Sequence, residues 1–346
     1  MASRAKGTLY ATGTDASWAT APLVDSESVS RWEECRPVVC VVGPTATGKS
    51  SLSQELALAL GGEVVSADSM QVYRGMDIGT AKMKPEDRKV HHHGIDLCEP
   101  NEDFSAALFQ DYARSCFSAL DRNGKRAVLC GGTGLYVRAA IDDYRFVRGG
   151  QRDNGIREHY ARIAQEQGTD RLWALLNEKD AASAALIHPH NTRRIIRAFE
   201  MLAEGSSYAQ QHACLKNIPQ FVPAHFLGLE VEPGILNRRI DERVDAMIAE
   251  GLVDEVMGLL DRGFRESITA PQAIGYKEIV AALDGDCSLD EAVMRIKRTS
   301  HRYAKRQRSW FRGDSRIRWL RADSGNITEL LSLALHELDT MDEAGF

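Results

Sequence analysis

The 346-residue sequence predicts an α/β fold in which a parallel sheet is interrupted by an inserted all-helical segment. Three observations predict it. Val38–Val42 is an unbroken apolar run followed by a glycine-rich loop and a helical period, the pattern of a doubly buried strand feeding a helix. Strand-like runs at 63–67 and 126–130 then alternate with helical periods, and such alternation builds parallel sheets through right-handed crossovers. From about 149 to 223 the strand-like runs stop and only helical periods remain.

The loop after the first strand is Gly43-Pro44-Thr45-Ala46-Thr47-Gly48-Lys49-Ser50, which fits G-x-x-x-x-G-K-[ST] in the required strand–helix context. The core is therefore predicted to be P-loop NTPase-like. In such a loop, backbone N–H groups and the positive helix end point at phosphate oxygens, and Lys49 adds a mobile charge. Ser50 is placed to ligate the Mg²⁺ that travels with a polyphosphate. Leu52, Leu56 and Leu60 then mark one helix face. Asp68 follows the second strand. The stretch 69–82 lacks a helical period and carries Gly75 and Gly79, so an ordered functional loop is expected. His91, His92 and His93 are adjacent and cannot all face one metal from a regular element; structural loop histidines are expected. A helix over 104–123 leads to the third strand, and Gly131-Gly132-Thr133-Gly134 opens a helix over 135–141. Ligands of parallel sheets bind outside the carboxyl ends of the strands, so the phosphate loop, Asp68 and Thr133 are expected in one cleft.

In the helical segment, periods over 156–167, 170–179, 181–187 and 192–204 predict four helices, the last capped by Asn191. That helix carries Arg193, Arg194 and Arg197, either as a solvated face or as contacts for a phosphate backbone. A strand at 226–230 returns to the sheet, and helices follow over 235–250 and 253–262. Gln272–Lys277 opens another helix, and 291–312 is one long basic helix whose Trp310 and Phe311 are expected to pack in the core. A last strand is expected at 317–320 and a helix at 327–338. Residues 1–36, rich in Ser, Ala, Thr and Gly, are expected to be a disordered extension. The expected units are a core of 37–148 and 224–322, an insertion of 149–223, and a C-terminal helix and tail of 323–346.

Seven cysteines without a C-x-x-C pair, and no apolar run near the ~18 residues of a membrane span, suggest a cytoplasmic chain that neither crosses a membrane nor holds zinc. The net charge of −6 argues against general nucleic-acid binding. Its distribution argues for one docked polyanion: Arg295–Arg318 holds ten Lys or Arg against Asp314, a net +9 on a remainder of −15.

A P-loop first suggests a small-molecule kinase, but phosphoryl transfer of that class usually needs a Walker B acid; the third strand ends in Gly131-Gly132-Thr133, and Asp68, which could serve, would then be the only acid in view. A loop that holds diphosphate as a leaving group suits these residues equally well and frees Asp68 to act as a general base.

Gly43–Ser50 with the seventeen-residue block Ser66–Lys82 closely resembles the tRNA dimethylallyltransferases, also called tRNA isopentenyltransferases. So do Gly131–Tyr136, Ile187-His188-Pro189 with Arg194 and Arg197, Ala273–Glu278 and Tyr303–Gln307, in order from about 38 to 320. The resemblance implies transfer of a dimethylallyl group from its diphosphate to N6 of the adenosine 3′ of the anticodon, position 37. It implies Mg²⁺, dimethylallyl diphosphate and a tRNA anticodon stem-loop as cofactor and partners, with the chain acting as a monomer. Asp68 becomes the general base, Lys49 and Ser50 serve the leaving diphosphate, and Thr133 hydrogen-bonds its bridging oxygen. Asp68, Ser69, Met70, Gln71, Thr133, Arg157, Arg193, Arg194, Ile195, Ile196 and Arg197 match tRNA-contacting positions, as do Gln272, Ala273, Ile274, Gly275, Tyr276 and Lys277. Arg157 also matches an arginine near the active site. An adenylate prenyltransferase is the alternative within the same chemistry. The chain departs from the family at Ser300 and His301, where Thr-Arg is usual, which suggests a weakened tRNA contact. It departs again at Gly94, usually Leu, and at Leu108, usually Asp. No zinc-finger extension follows the core, which points to the bacterial type.

Overall fold

A computed structural model describes residues 32, 35–146, 155–214 and 218–344. Most of the extension expected over 1–36 lies outside the described residues. Six strands form one sheet: β1 (Val38–Val42), β2 (Glu63–Ser66), β3 (His92–His93), β4 (Ala127–Gly131), β5 (Ala224–Glu230) and β6 (Ile317–Arg321). The order is β3-β2-β4-β1-β5-β6 and every pairing is parallel. β1 is central, with Val42 in register with Gly131 on one side and Gly228 on the other.

The unbroken apolar character of β1 has a direct cause. Val39 and Val41 enter a cluster with Leu52 and Leu56 of α1 (Lys49–Ala59) and Leu330 and Ala334 of α13 (Ile327–Glu343). Val38, Cys40 and Val42 enter the opposite cluster, with Phe109 and Phe117 of α2 (Ala106–Arg122) and Val137 of α3 (Gly134–Ile141). Neither face can carry a polar residue, and each buried valine contributes roughly 1.5–3 kcal/mol of transfer free energy. The second cluster is completed by α9 (Pro233–Ala249), α10 (Leu252–Leu260), α11 (Tyr276–Leu283) and α12 (Leu289–Phe311). Ser288 and Glu291 form a capping box that starts α12, each satisfying a backbone N–H of the other's end.

Chain contacts divide into two compact units, one running to Ile141 and resuming at Phe221, the other Asp142–Gln220. The second unit holds α4 (Gly155–Gln167), α5 (Thr169–Lys179), α6 (Ala181–Leu186), α7 (Thr192–Ala203) and α8 (Tyr208–Cys214) around a core that includes Leu172, Leu176, Ile195 and Phe199. Asn191 caps α7 by accepting from the Arg194 N–H at 3.2 Å.

Three details differ from the sequence expectations, and a fourth accounts for one of the departures noted there. His92 and His93 are not in a loop but form edge strand β3, because Val64 and Val65 of β2 offer them a free ladder. The short helix α8 carries no periodic apolar signal and went unpredicted. Trp310 is 49% exposed rather than core, whereas Phe311 is 3% exposed, since successive helix positions lie about 100° apart and only one meets the sheet. Gly94 is not a neutral departure: its φ is +79°, and a Cβ there would stand 2.6 Å from the Ser66 carbonyl oxygen.

Candidate active site

The carboxyl ends of β1, β2 and β4 open on one cavity of about 380 Å³, lined by the phosphate loop, residues 66–71 and 79–83, α9, the 272–277 segment and α12. Among its lining residues Asp68 is the one acid, against five cations: Lys49, Arg88, Arg243, Lys277 and Arg306. A cavity so charged takes a polyanion and leaves one carboxylate to accept a proton.

On the cradle side, Gly48 precedes α1, and Lys49 folds back so that its ammonium donates to the Pro44 carbonyl at 2.5 Å. Burial, reinforced by the neighbouring Arg243 charge, lowers the Lys49 pKa to about 8. The Gln307 carboxamide ties the cradle to the β4 end, accepting from the Thr45 N–H and donating to the Gly132 carbonyl, both at 2.9 Å. Arg243 donates to the Thr45 hydroxyl at 3.0 Å and to the Thr80 carbonyl at 3.4 Å, which aims a buried guanidinium along the cradle.

Asp68 lies across the cavity at the end of β2, its Oδ1 accepting from the Met70 N–H at 2.9 Å, with the carboxylate half-buried. Thr133 follows β4, and its hydroxyl accepts from the Ser69 N–H at 3.2 Å. The Tyr303 phenol stands beside Thr133 and Gln307; burial first and the Asp68 charge second push its pKa up to about 12, so it keeps its proton. Cys130 also lines the cavity, but burial raises its pKa and keeps it a thiol rather than a nucleophile.

The arrangement joins most of the expected residues of the first unit. Lys49, Ser50, Asp68, Ser69, Met70, Gln71 and Gln272–Lys277 line the cavity, while Tyr276 is fully buried with its hydroxyl turned to Glu255 at 2.6 Å. Arg157, Arg193, Arg194, Ile195, Ile196 and Arg197 belong to the helical unit. There Glu200, 3% exposed, holds Arg157 at 2.8 Å and Arg197 at 3.2 Å. Ile195 and Ile196 are 0% and 6% exposed, so their side chains fill that unit's core and leave any tRNA contact on α7 to its arginines. His301, one of the departures from the family, has its Nε2 2.8 Å from the Asp241 carboxylate, between α12 and α9.

Arg243, Gln307 and Tyr303 were not singled out from sequence as site residues. Arg243 carried a usable signal, because it stands among Leu236, Ile240, Val244 and Met247, the buried stripe of α9. A lone arginine on an apolar stripe is there for a partner or a ligand.

Ser50 is the hydroxyl of the first helical turn that lines the cavity, and no group of three or more His, Cys, Asp or Glu among the described residues could hold a metal. That donor set fits Mg²⁺, which keeps most of its waters and arrives on phosphate oxygens.

Fold and site together define a P-loop α/β enzyme with a cation-lined cavity that holds a single carboxylate. The family model described as IPP transferase matches residues 71–314, and that described as isopentenyl transferase matches 37–93. The tRNA dimethylallyltransferase of Geobacillus thermodenitrificans (strain NG80-2) is 46% identical over 284 residues, 82% of this chain and 89% of that relative. The full-length tRNA isopentenylpyrophosphate transferase of Bacillus halodurans has a TM-score of 0.64 at 40% identity, over 89% of this chain and 98% of that one. A eukaryotic dimethylallyltransferase acting on tRNA gives a TM-score of 0.68 at 27% identity, over 83% and 74% of the two chains. The chain belongs to the IPP transferase family, the tRNA dimethylallyltransferases.

Proposed function

We propose that the protein transfers the dimethylallyl group of dimethylallyl diphosphate to N6 of adenosine 37 in the anticodon stem-loop of tRNA, releasing diphosphate. The observation that carries this reading is Asp68 as the one acid in a cavity that it shares with five cations and an apolar wall including Ile240, Val244 and Met247. Adenine N6 is a poor nucleophile because its lone pair is delocalised into the ring. As the N6–C1 bond forms and the C1–oxygen bond breaks, Asp68 takes the N6 proton. The electron pair leaves with the diphosphate, whose growing charge meets the loop N–H groups, Lys49 and Arg243. Thr133 supplies a hydroxyl for the bridging oxygen. Mg²⁺ held through Ser50 supplies further charge stabilisation to the leaving group when bound. The target base must leave its stack to reach a cavity of this kind.

The tRNA is bound by Ser69–Gln71, Gln272–Lys277 and the arginines Arg193, Arg194 and Arg197. Arg157 acts with Glu200 to hold the arginine face of α7. The exposed cations of α12, Arg298, Arg302 and Lys305 among them, extend the positive surface from the cavity-lining Arg306. The chain acts as a monomer, and no helix among the described residues is long and apolar enough to cross a membrane. A tRNA substrate accords with a cytoplasmic enzyme.

Purified protein with dimethylallyl diphosphate, Mg²⁺ and unmodified tRNAs bearing A37 yields N6-isopentenyladenosine in the digested product. Absence of that nucleoside with several such tRNAs refutes the assignment, and preferential prenylation of free AMP, ADP or ATP makes it an adenylate prenyltransferase.

A further inference from the structure

Glu255, on the outer helix α10, is remote from the cradle in sequence, yet its half-buried carboxylate collects four donors. Its Oε2 accepts from the N–H groups of Asp77 at 3.0 Å and Ile78 at 2.7 Å. Its Oε1 accepts from the Gly79 N–H at 3.3 Å and the Tyr276 hydroxyl at 2.6 Å. Three successive backbone N–H groups closing on one anion form a nest, and such a nest holds a turn in one conformation only while the anion is present. The Tyr276 ring completes the fit: a Cβ on Gly79 would stand 2.4 Å from its Cε2, so Gly79 is the residue that lets ring and turn meet.

The turn ends in a carbonyl used twice. Thr80 O accepts from Gln71 Nε2 at 3.2 Å and from Arg243 Nη2 at 3.4 Å. Gln71 in turn accepts from the Ser66 hydroxyl at 2.8 Å, beside the Asp68 strand end, and Arg243 reaches the Thr45 hydroxyl of the cradle. One carbonyl therefore orients a group on the acceptor side and a group on the diphosphate side. Its own position is set by the turn that Glu255 grips.

We propose that Glu255 is a positioning residue that, through the 77–80 turn and Tyr276, sets Gln71 and Arg243 together, so that the acceptor and diphosphate halves of the site are assembled by one carboxylate. The proposal deepens the transferase reading and rests on it. A carboxamide cannot replace the carboxylate, because its NH₂ faces backbone N–H donors instead of accepting from them.

The test is Glu255→Gln in the full chain, with KM for dimethylallyl diphosphate, KM for tRNA and kcat measured separately, and with inorganic diphosphate titrated calorimetrically. The expected result is a rise of about fivefold or more in both KM values and a matching loss of diphosphate affinity. A role in stability alone lowers the folded fraction, and with it kcat, while both KM values stay put. KM values and diphosphate affinity within about twofold of the parent overturn the proposal, whatever happens to kcat. Should Glu255→Gln not fold, Tyr276→Phe removes one of the four donors. Its expected rise is about two- to threefold in both KM values, and unchanged values overturn the proposal. A parent enzyme that forms no prenylated nucleoside defeats the transferase reading instead, and the diphosphate titration still decides the role of Glu255.

Discussion

Gln307 and Gly132 are joined by a buried hydrogen bond of 2.9 Å from the carboxamide to the carbonyl, and the other end of the same side chain holds the Thr45 N–H of the phosphate loop. One residue on α12 thereby ties the ends of β1 and β4 together.

Gln307→Glu turns the donor that meets the Gly132 carbonyl into a second acceptor. An unpaired buried polar group costs about 1–3 kcal/mol, so kcat/KM for dimethylallyl diphosphate should fall by roughly 5- to 150-fold. Steady-state kinetics at saturating tRNA measure this, and an unchanged value shows the link to be dispensable.

Asp68→Asn keeps size and hydrogen-bonding but cannot take a proton. Loss of general-base catalysis predicts a fall in kcat of about 10²–10⁴-fold, with tRNA affinity within a few-fold of the parent. Filter binding alongside single-turnover prenylation separates the two. Comparable losses in both would place Asp68 in binding rather than in proton transfer.

Lys49 makes donor binding depend on pH. Burial lowers its pKa from 10.5 to about 8, so the ligand-free protein loses this charge as pH rises through that value. A bound diphosphate favours the charged form and raises the pKa. Affinity should therefore be level below pH 8 and fall by up to about tenfold per unit above it, with proton uptake on binding. Calorimetry with inorganic diphosphate in two buffers of different ionisation enthalpy reads the uptake directly. Stability of the ligand-free fold runs the other way: the unfolded chain binds this proton more tightly, so the Lys49 contribution to stability rises between about pH 8 and 10.5.

Arg194 is exposed on α7 and donates only its backbone N–H to the Asn191 cap. Arg194→Ala should weaken tRNA binding evenly across tRNAs and reduce the slope of log affinity against log salt by about 1, while kcat at saturating tRNA holds. A salt titration of tRNA binding measures it, and an unaltered slope removes Arg194 from the interface.

Where the chemistry is written as a contiguous motif, it was legible. Val38–Val42 has to be buried on both faces, Gly43–Ser50 has to follow it, and the alternation up to residue 141 has to build parallel strands whose carboxyl ends meet. Asp68 could therefore be placed at the cavity, and Thr133 at the neighbouring strand end beside Ser69, before any contact was known. Where a residue's role depends on its position around a helix or on a neighbour distant in the chain, the sequence was silent or misleading. Trp310 and Phe311 are adjacent in sequence and opposite in fate, and His91–His93 showed no sign that an edge of β2 awaited them.

By itself, then, the sequence determined the parallel P-loop core, the cradle of Lys49 and Ser50, and Asp68 at the strand end, because each rests on a local pattern that backbone geometry makes obligatory. Only the tertiary structure decided that Arg243 and Gln307 complete the cradle, that Ile195 and Ile196 turn inward, and that His301 stands beside Asp241. The physical reason is the same for all of these. A side chain's partner is chosen by packing between elements far apart in the chain, and Thr45 and Gln307, which share one hydrogen bond, are 262 residues apart.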